Sequence, residues 1–183
     1  MTHETHSDCQ ATCVSRRLLL GAAGATTVTM LLGELFPNRV FGQKAETSVE
    51  VTTLPRKKIG QLSKLKVDTP VSFNYPGDAE MQNCMLIKTG EKSGGGIGDD
   101  QDVVAFSGRC THMGGSLEGE YNAEHKVAGP CRLHLTTFDL TRHGIVVAGH
   151  ATQALPQIIL EFDGDDIYAT GIAGLLYGYS VNG

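Results

Sequence analysis

The sequence predicts an all-β domain, an antiparallel β sandwich or small barrel. Three observations lead there. Beyond residue 42, apolar residues either alternate with polar ones or gather in short runs. Clusters of Gly, Pro, Asn and Asp bracket those runs. No segment in that region sustains a 3.6-residue apolar period, so no long helix is expected. The 183 residues suffice for one modest core, and 23 glycines with 40% hydrophobic content suit a loop-rich domain.

Taken in order, residues 47–53 alternate Val49 and Val51 with polar neighbours, as a half-buried strand does. Residues 55–58, Pro-Arg-Lys-Lys, read as a basic turn. Residues 71–75 read as a strand closed by Pro76-Gly77-Asp78, and residues 83–88 as another. The glycine-rich stretch 93–98 lacks the Lys-Ser/Thr ending of a phosphate-binding loop and reads as a hairpin connection. Residues 102–106 form a strand that leads to Cys110. Residues 137–140 and 145–148 flank the loop Thr141-Arg142-His143-Gly144, and residues 158–162 and 167–170 flank an Asp163-Gly164 turn. The apolar C-terminal run 172–179 is either a docking strand within the domain or a surface for a partner.

A net charge of −5 with no basic stripe argues against nucleic acid as a partner. Cys9, Cys13, Cys84, Cys110 and Cys131 do not make the dense, even set of a disulfide-stapled module. Cys84 lies in the apolar run Cys84-Met85-Leu86-Ile87 and is expected to be a buried structural thiol.

The N-terminus reads as an address. Arg16 and Arg17 open an uncharged stretch from Leu18 to Gly33 that Glu34 ends. The stretch is short of the roughly 20 apolar residues a spanning helix needs. A twin arginine before a mildly hydrophobic segment resembles a Tat export signal, with Val40-Phe41-Gly42 offering small residues for cleavage. The expected division is a signal over residues 1–42 and a folded domain over 43–183, in a periplasmic protein. An uncleaved signal serving as a membrane tether is the rival reading.

Chemistry gathers in two boxes. Cys110-Thr111-His112-Met113-Gly114 and Gly129-Pro130-Cys131-Arg132-Leu133-His134 each offer one thiol and one imidazole. One residue separates Cys110 from His112, so both can point one way in extended backbone. Two residues separate Cys131 from His134, as a tight turn requires. Gly114 and Gly115 let the chain turn away, and Pro130 stiffens the approach to Cys131. Two Cys and two His split evenly between two loops suit an iron–sulfur centre in which two Cys hold one iron and two His the other. A zinc site is the alternative, although zinc commonly takes C-x2-4-C and H-x3-5-H pairs. His125, His143 and His150 lie outside the boxes and read as solvent-facing loop residues. His3 and His6 belong to the signal.

With these boxes the chain resembles the Rieske proteins, and among them the small subunit of arsenite oxidase. The twin arginine, the compact length, the Cys-Thr-His-Met-Gly box and the run Leu135-Thr136-Thr137-Phe138-Asp139 carry the likeness, which extends from about Val49 to the C-terminus. It implies one [2Fe–2S] cluster per chain, held by a subdomain of two facing loops within about 106–150. Cys110 and Cys131 would bind one iron, and His112 and His134 the other. It implies an electron-transfer subunit with no catalytic residue of its own. Its partners would be a large molybdopterin-containing subunit and a periplasmic cytochrome c or cupredoxin as acceptor. A Rieske subunit of a quinol–cytochrome c oxidoreductase and a ferredoxin for a ring-hydroxylating oxygenase are the alternatives.

The departures from the respiratory members are informative. Those carry a second Cys in each box, joined by a disulfide, where this chain has Gly115 and Leu133. They place a Ser two residues and a Tyr four residues after the second His, both donating to sulfur. Here Thr136 keeps a hydroxyl and Phe138 has none. Fewer donors stabilise the reduced cluster less, so a lower potential than in respiratory members is expected.

Overall fold

The computed structural model describes residues 53–182. Ten strands dominate them: β1 (Lys57–Gln61), β2 (Val71–Asn74), β3 (Asn83–Lys88), β4 (Val103–Ser107), β5 (Tyr121–Asn122), β6 (Val127–Ala128), β7 (Thr137–Asp139), β8 (Ile145–Ala148), β9 (Gln157–Asp163) and β10 (Asp166–Ala173). Every strand pairing is antiparallel. Six strands form one sheet in the order β1-β10-β9-β4-β3-β2, which curls towards a barrel. The other four form a small sheet in the order β5-β6-β7-β8. The all-β expectation holds.

Central strands β3 and β4 explain how the site is supported. Side chains alternate across a strand, so a strand buried on both faces reads as a continuous apolar run. Cys84, Leu86, Val103 and Ala105 face the core of the large sheet. Met85, Ile87, Val104 and Phe106, the alternate residues, face a second core shared with Phe138, Leu140 and Leu155. Cys110 and Cys131 belong to that second core. One β-ladder is thus the common wall of two cores, and the candidate ligands stand on its far side. Truncating Phe106 to Ala would cost about 3–5 kcal/mol, the usual loss for a buried aromatic.

The sequence expectations for residues 71–75, 83–88, 102–106, 137–140, 145–148, 158–162 and 167–170 all find strands within a residue or so at their start. The 93–98 stretch does connect antiparallel neighbours β3 and β4. Residues 55–58 correct the expectation of a basic turn. Lys57 and Lys58 begin β1, which pairs with β10 through Lys57↔Ala169 and Lys58↔Tyr168. Ile59 packs on the large core, while Lys58 pairs with Asp166 at 2.6 Å and Arg56 stacks 3.5 Å over the Tyr168 ring. Charge on an edge strand deters pairing with another chain, and opposite charges across the ladder make this run a strand. Two-residue β5 and β6 are too short to leave an alternation in the sequence.

Cys84 is a buried thiol, as expected; burial pushes it up to about 12, which leaves it unreactive near neutral pH. The strand expected at 47–53 and the signal at 1–42 lie outside the described residues, except for Thr53. Within the described residues, no helix is long and apolar enough to cross a membrane.

Candidate metal centre

Two loops of the small-sheet half present the boxes. The first follows β4; the second joins β6 to β7. Their backbones repeat one pattern. In the first, the Cys110 N–H donates to Gly115 O and the Gly114 N–H to Cys110 O, both at 2.8 Å. In the second, the Cys131 N–H donates to Thr136 O and the Leu135 N–H to Cys131 O, again at 2.8 Å. Gly114 (φ 71°) and Leu135 (φ 60°) hold the same left-handed position. Each Cys is therefore clamped at the root of an equivalent loop, and each His projects from the loop's tip.

The side chains sort by depth. Both thiols are buried, while the His134 ring is exposed and His112 is half-buried. The imidazoles meet edge to face, with centroids 4.6 Å apart. Burial pushes the Cys110 thiol up, the His112 backbone N–H and the Thr136 hydroxyl pull it down by hydrogen bonding, and the Cys131 thiol raises it again. So the two sulfurs are neighbours, and the His112 amide and the Thr136 hydroxyl lie beside the Cys110 thiol. A buried thiol held up in this way becomes a thiolate when a metal takes the proton's place.

Fit to a cluster is tested by one orphaned atom. Nδ1 of His112 is buried and has no hydrogen-bond partner. Leaving a buried ring nitrogen unpaired costs about 1–3 kcal/mol, and a metal removes that cost. Among the described residues no three His, Cys, Asp or Glu side chains converge on one ion position. A four-donor zinc site needs such convergence. A two-iron cluster asks only for two protein donors at each end, and a thiol pair beside an imidazole pair supplies that.

The Rieske [2Fe-2S] domain family model matches residues 56–159, more than half of the chain. This chain belongs to the Rieske [2Fe–2S] family. It is 50% identical over 177 residues to iodate reductase subunit IdrB of Pseudomonas sp. (strain SCT), covering 97% of this chain and 88% of that one. It is 51% identical over 170 residues to iodate reductase subunit IdrB of Denitromonas iodatirespirans, covering 93% and 87%. Both relatives are named for iodate reduction, and neither for arsenite oxidation. The fold is that of the soluble domain of Rieske protein II (soxF) from Sulfolobus acidocaldarius, with a TM-score of 0.61 at 23% identity, covering 70% of this chain and 83% of that one.

Within this Rieske domain, Gly115 and Leu133 face one another. A Cβ on Gly115 would lie 2.8 Å from Cys131 Sγ and 3.0 Å from a Leu133 methyl. The positions that carry a disulfide in respiratory members are adjacent here, and no disulfide joins them. Thr136 is fully buried at the end of the second loop. Phe138, on β7, is fully buried in the same core as both thiols. His125 and His143 are exposed as expected, and His143 Nδ1 pairs with Gln157 Oε1 at 2.9 Å.

Two neighbours of the Rieske site escaped the sequence reading. The exposed His150 ring lies 5.7 Å from the His112 ring, and a Gly114 Cβ would lie 2.5 Å from the Tyr177 ring. The C-terminal run thus docks within the domain at Tyr177 and at the buried Leu176. Neither residue carries a local motif. A lone His and a lone Tyr reach the site only through folding.

Proposed function

We propose that this Rieske chain is the electron-transfer subunit of an exported oxidoreductase of the iodate-reductase type. The observation that carries the electron-transfer reading is the paired donor set: two buried, adjacent thiols at the roots of twin loops, and two imidazoles at their tips. In this reading Cys110 and Cys131 hold one iron. His112, through its orphaned Nδ1, and His134 hold the other. Bound there, the cluster supplies one-electron redox chemistry, at roughly −150 to +300 mV for Rieske centres.

The chain's own residues do the rest. Burial of Cys110 and Cys131 keeps water from the sulfurs. Exposure of His134 gives an electron partner an edge to approach. Met113, Leu133 and Leu135, 56%, 57% and 66% exposed, ring that edge with apolar surface and leave a partner little to desolvate there. Thr136 brings a hydroxyl beside the Cys110 thiol, and Phe138 has none to bring.

Likeness over 93% and 97% of the chain to two iodate reductase subunits supports iodate as the substrate of the complex. Iodate is an oxidant, so electrons would enter this subunit from a periplasmic cytochrome c or cupredoxin. They would leave to a larger molybdenum-containing catalytic subunit. Arsenite oxidation is the second reading, favoured by the Cys-Thr-His-Met-Gly box and the Leu135–Asp139 run, and it runs the same relay backwards. The twin arginine supports export to the periplasm, with an uncleaved signal as a tether in the rival case.

Purification of the native complex tests this. The expected result is molybdenum and acid-labile sulfide in one complex, a Rieske EPR signal on reduction, and reoxidation of that signal by iodate. Reduction of the oxidised complex by arsenite, with no response to iodate, would select the second reading. A complex containing cytochrome b in place of molybdenum would overturn both. Replacing Arg16 and Arg17 by Lys should hold the protein in the cytoplasm.

A further inference from the structure

A third segment, outside both boxes, reaches the site. It follows β8 and runs from Gly149 to Gln153. The His150 backbone N–H donates to Thr136 Oγ1 at 3.2 Å. Three residues on, Gln153 O accepts from Thr111 Oγ1 at 2.9 Å. The segment therefore clips onto both ligand loops. Gly149 makes the approach possible: its φ is 94°, and a Cβ there would lie 2.4 Å from Thr136 Cα. Only a residue without a side chain fits against the second loop at that point.

Thr136 is fully buried, so its hydroxyl has few partners to choose from. A hydroxyl has one proton to give and two lone pairs to accept with. The Cys110 thiol is a neighbour of that hydroxyl. With the His150 N–H on a lone pair, the O–H is free to turn to it. Accepting a bond also polarises the hydroxyl and makes it a stronger donor.

We propose that the Gly149–His150 backbone is a positioning element of the Rieske site: the His150 N–H orients the Thr136 hydroxyl towards the Cys110 sulfur and so raises the cluster's reduction potential. The imidazole of His150 plays no part in this. The proposal rests on the ligand reading given above, and the experiment separates the two.

The full-length chain is loaded with cluster and its potential measured by EPR-monitored titration, for wild type, His150→Pro, His150→Ala, Thr136→Val and the double variant His150→Pro/Thr136→Val. Proline removes the N–H, while alanine removes only the ring. The expected result is a lower potential for H150P than for H150A, in the direction of T136V. On the T136V background, H150P should give no further fall beyond that of H150A. Equal potentials for H150P and H150A would overturn the proposal, as would additive falls in the double variant. If H150P does not load, Gly149→Ala replaces it in the same cycle, since its Cβ pushes the segment off Thr136. A wild-type chain that loads iron and sulfide yet shows no Rieske signal would instead overturn the ligand reading itself.

Discussion

The loops Cys110–Gly115 and Cys131–Thr136 share a backbone and differ in nearly everything attached to it. Both clamp a Cys with the same two 2.8 Å hydrogen bonds and both turn through a left-handed residue four positions later. In the first loop that residue is Gly114, roofed by the Tyr177 ring. In the second it is Leu135, two-thirds exposed. The first loop is packed between its twin and the C-terminal run, with the His112 ring half-buried. The second stands in solvent with Leu133, His134 and Leu135 all exposed. The difference is one of depth: apart from the exposed Met113, the first loop is sheltered, and the second is open.

Ligand substitutions test the part the loops share and should have the largest effect. Cys110→Ser and Cys131→Ser should each abolish the cluster, read as loss of acid-labile sulfide and of the EPR signal. If the loops are equivalent at their roots, neither variant should keep more cluster than the other.

The next experiment attacks the difference. Gly114→Leu should cost about 1–3 kcal/mol, because it combines a strained φ with a clash against Tyr177. Leu135→Ala, on the exposed loop, should stay within about 0.5 kcal/mol. Thermal unfolding of the loaded chains measures both. A Gly114→Leu chain as stable as wild type would erase the distinction between a roofed and an open loop.

A subtler effect concerns the end of the second loop. Phe138→Tyr restores a hydroxyl four residues after His134. One hydrogen bond to sulfur contributes about 1 kcal/mol, so the potential should rise by roughly 40 mV for a one-electron couple. A potential that fails to rise in a redox titration would remove Phe138 from the grounds for expecting a potential below that of respiratory members.

Smallest is the clamp at the β5–β6 hairpin. Asp68 accepts hydrogen bonds from Lys126 Nζ and Tyr121 OH at 2.7 Å, tying the β5–β6 hairpin to the segment before β2. Lys126, then Tyr121, hold the Asp68 carboxyl below the usual carboxylate range. A carboxyl whose folded value is depressed stabilises above its unfolded pKa of about 3.9 and loses that contribution as pH falls through the folded value. Asp68→Asn should therefore lower stability at neutral pH by up to about 1 kcal/mol, since the pair is partly solvated. The gap from wild type should close below pH 4. A gap unchanged at pH 3 would show that the clamp acts by shape and not by charge.

Much of this was legible in the chain itself. Cys110, His112, Cys131 and His134 stand out as candidate ligands because their spacing is local, and strands such as β3 do because a short apolar run between turn residues is local. Lys57 and Lys58 misled, because an edge strand that pairs charge across a ladder looks in sequence like a basic turn. Two-residue strands left no period to detect. His150 looked like an ordinary loop residue, since what matters about it is a backbone N–H that every residue but proline has.

The sequence by itself thus determined the fold class, the two Cys-His boxes, the lack of a second Cys at Gly115 and Leu133, and the hydroxyl at Thr136 with none at Phe138. Only the tertiary structure decided which loop is sheltered and which is open, and that Gly149–His150 and Tyr177 close around the site. The physical reason is distance along the chain. Ligand boxes and strand periods are written within a few residues, whereas the contact of Tyr177 with Gly114 exists only once β9 and β10 have carried the C-terminus back across the domain.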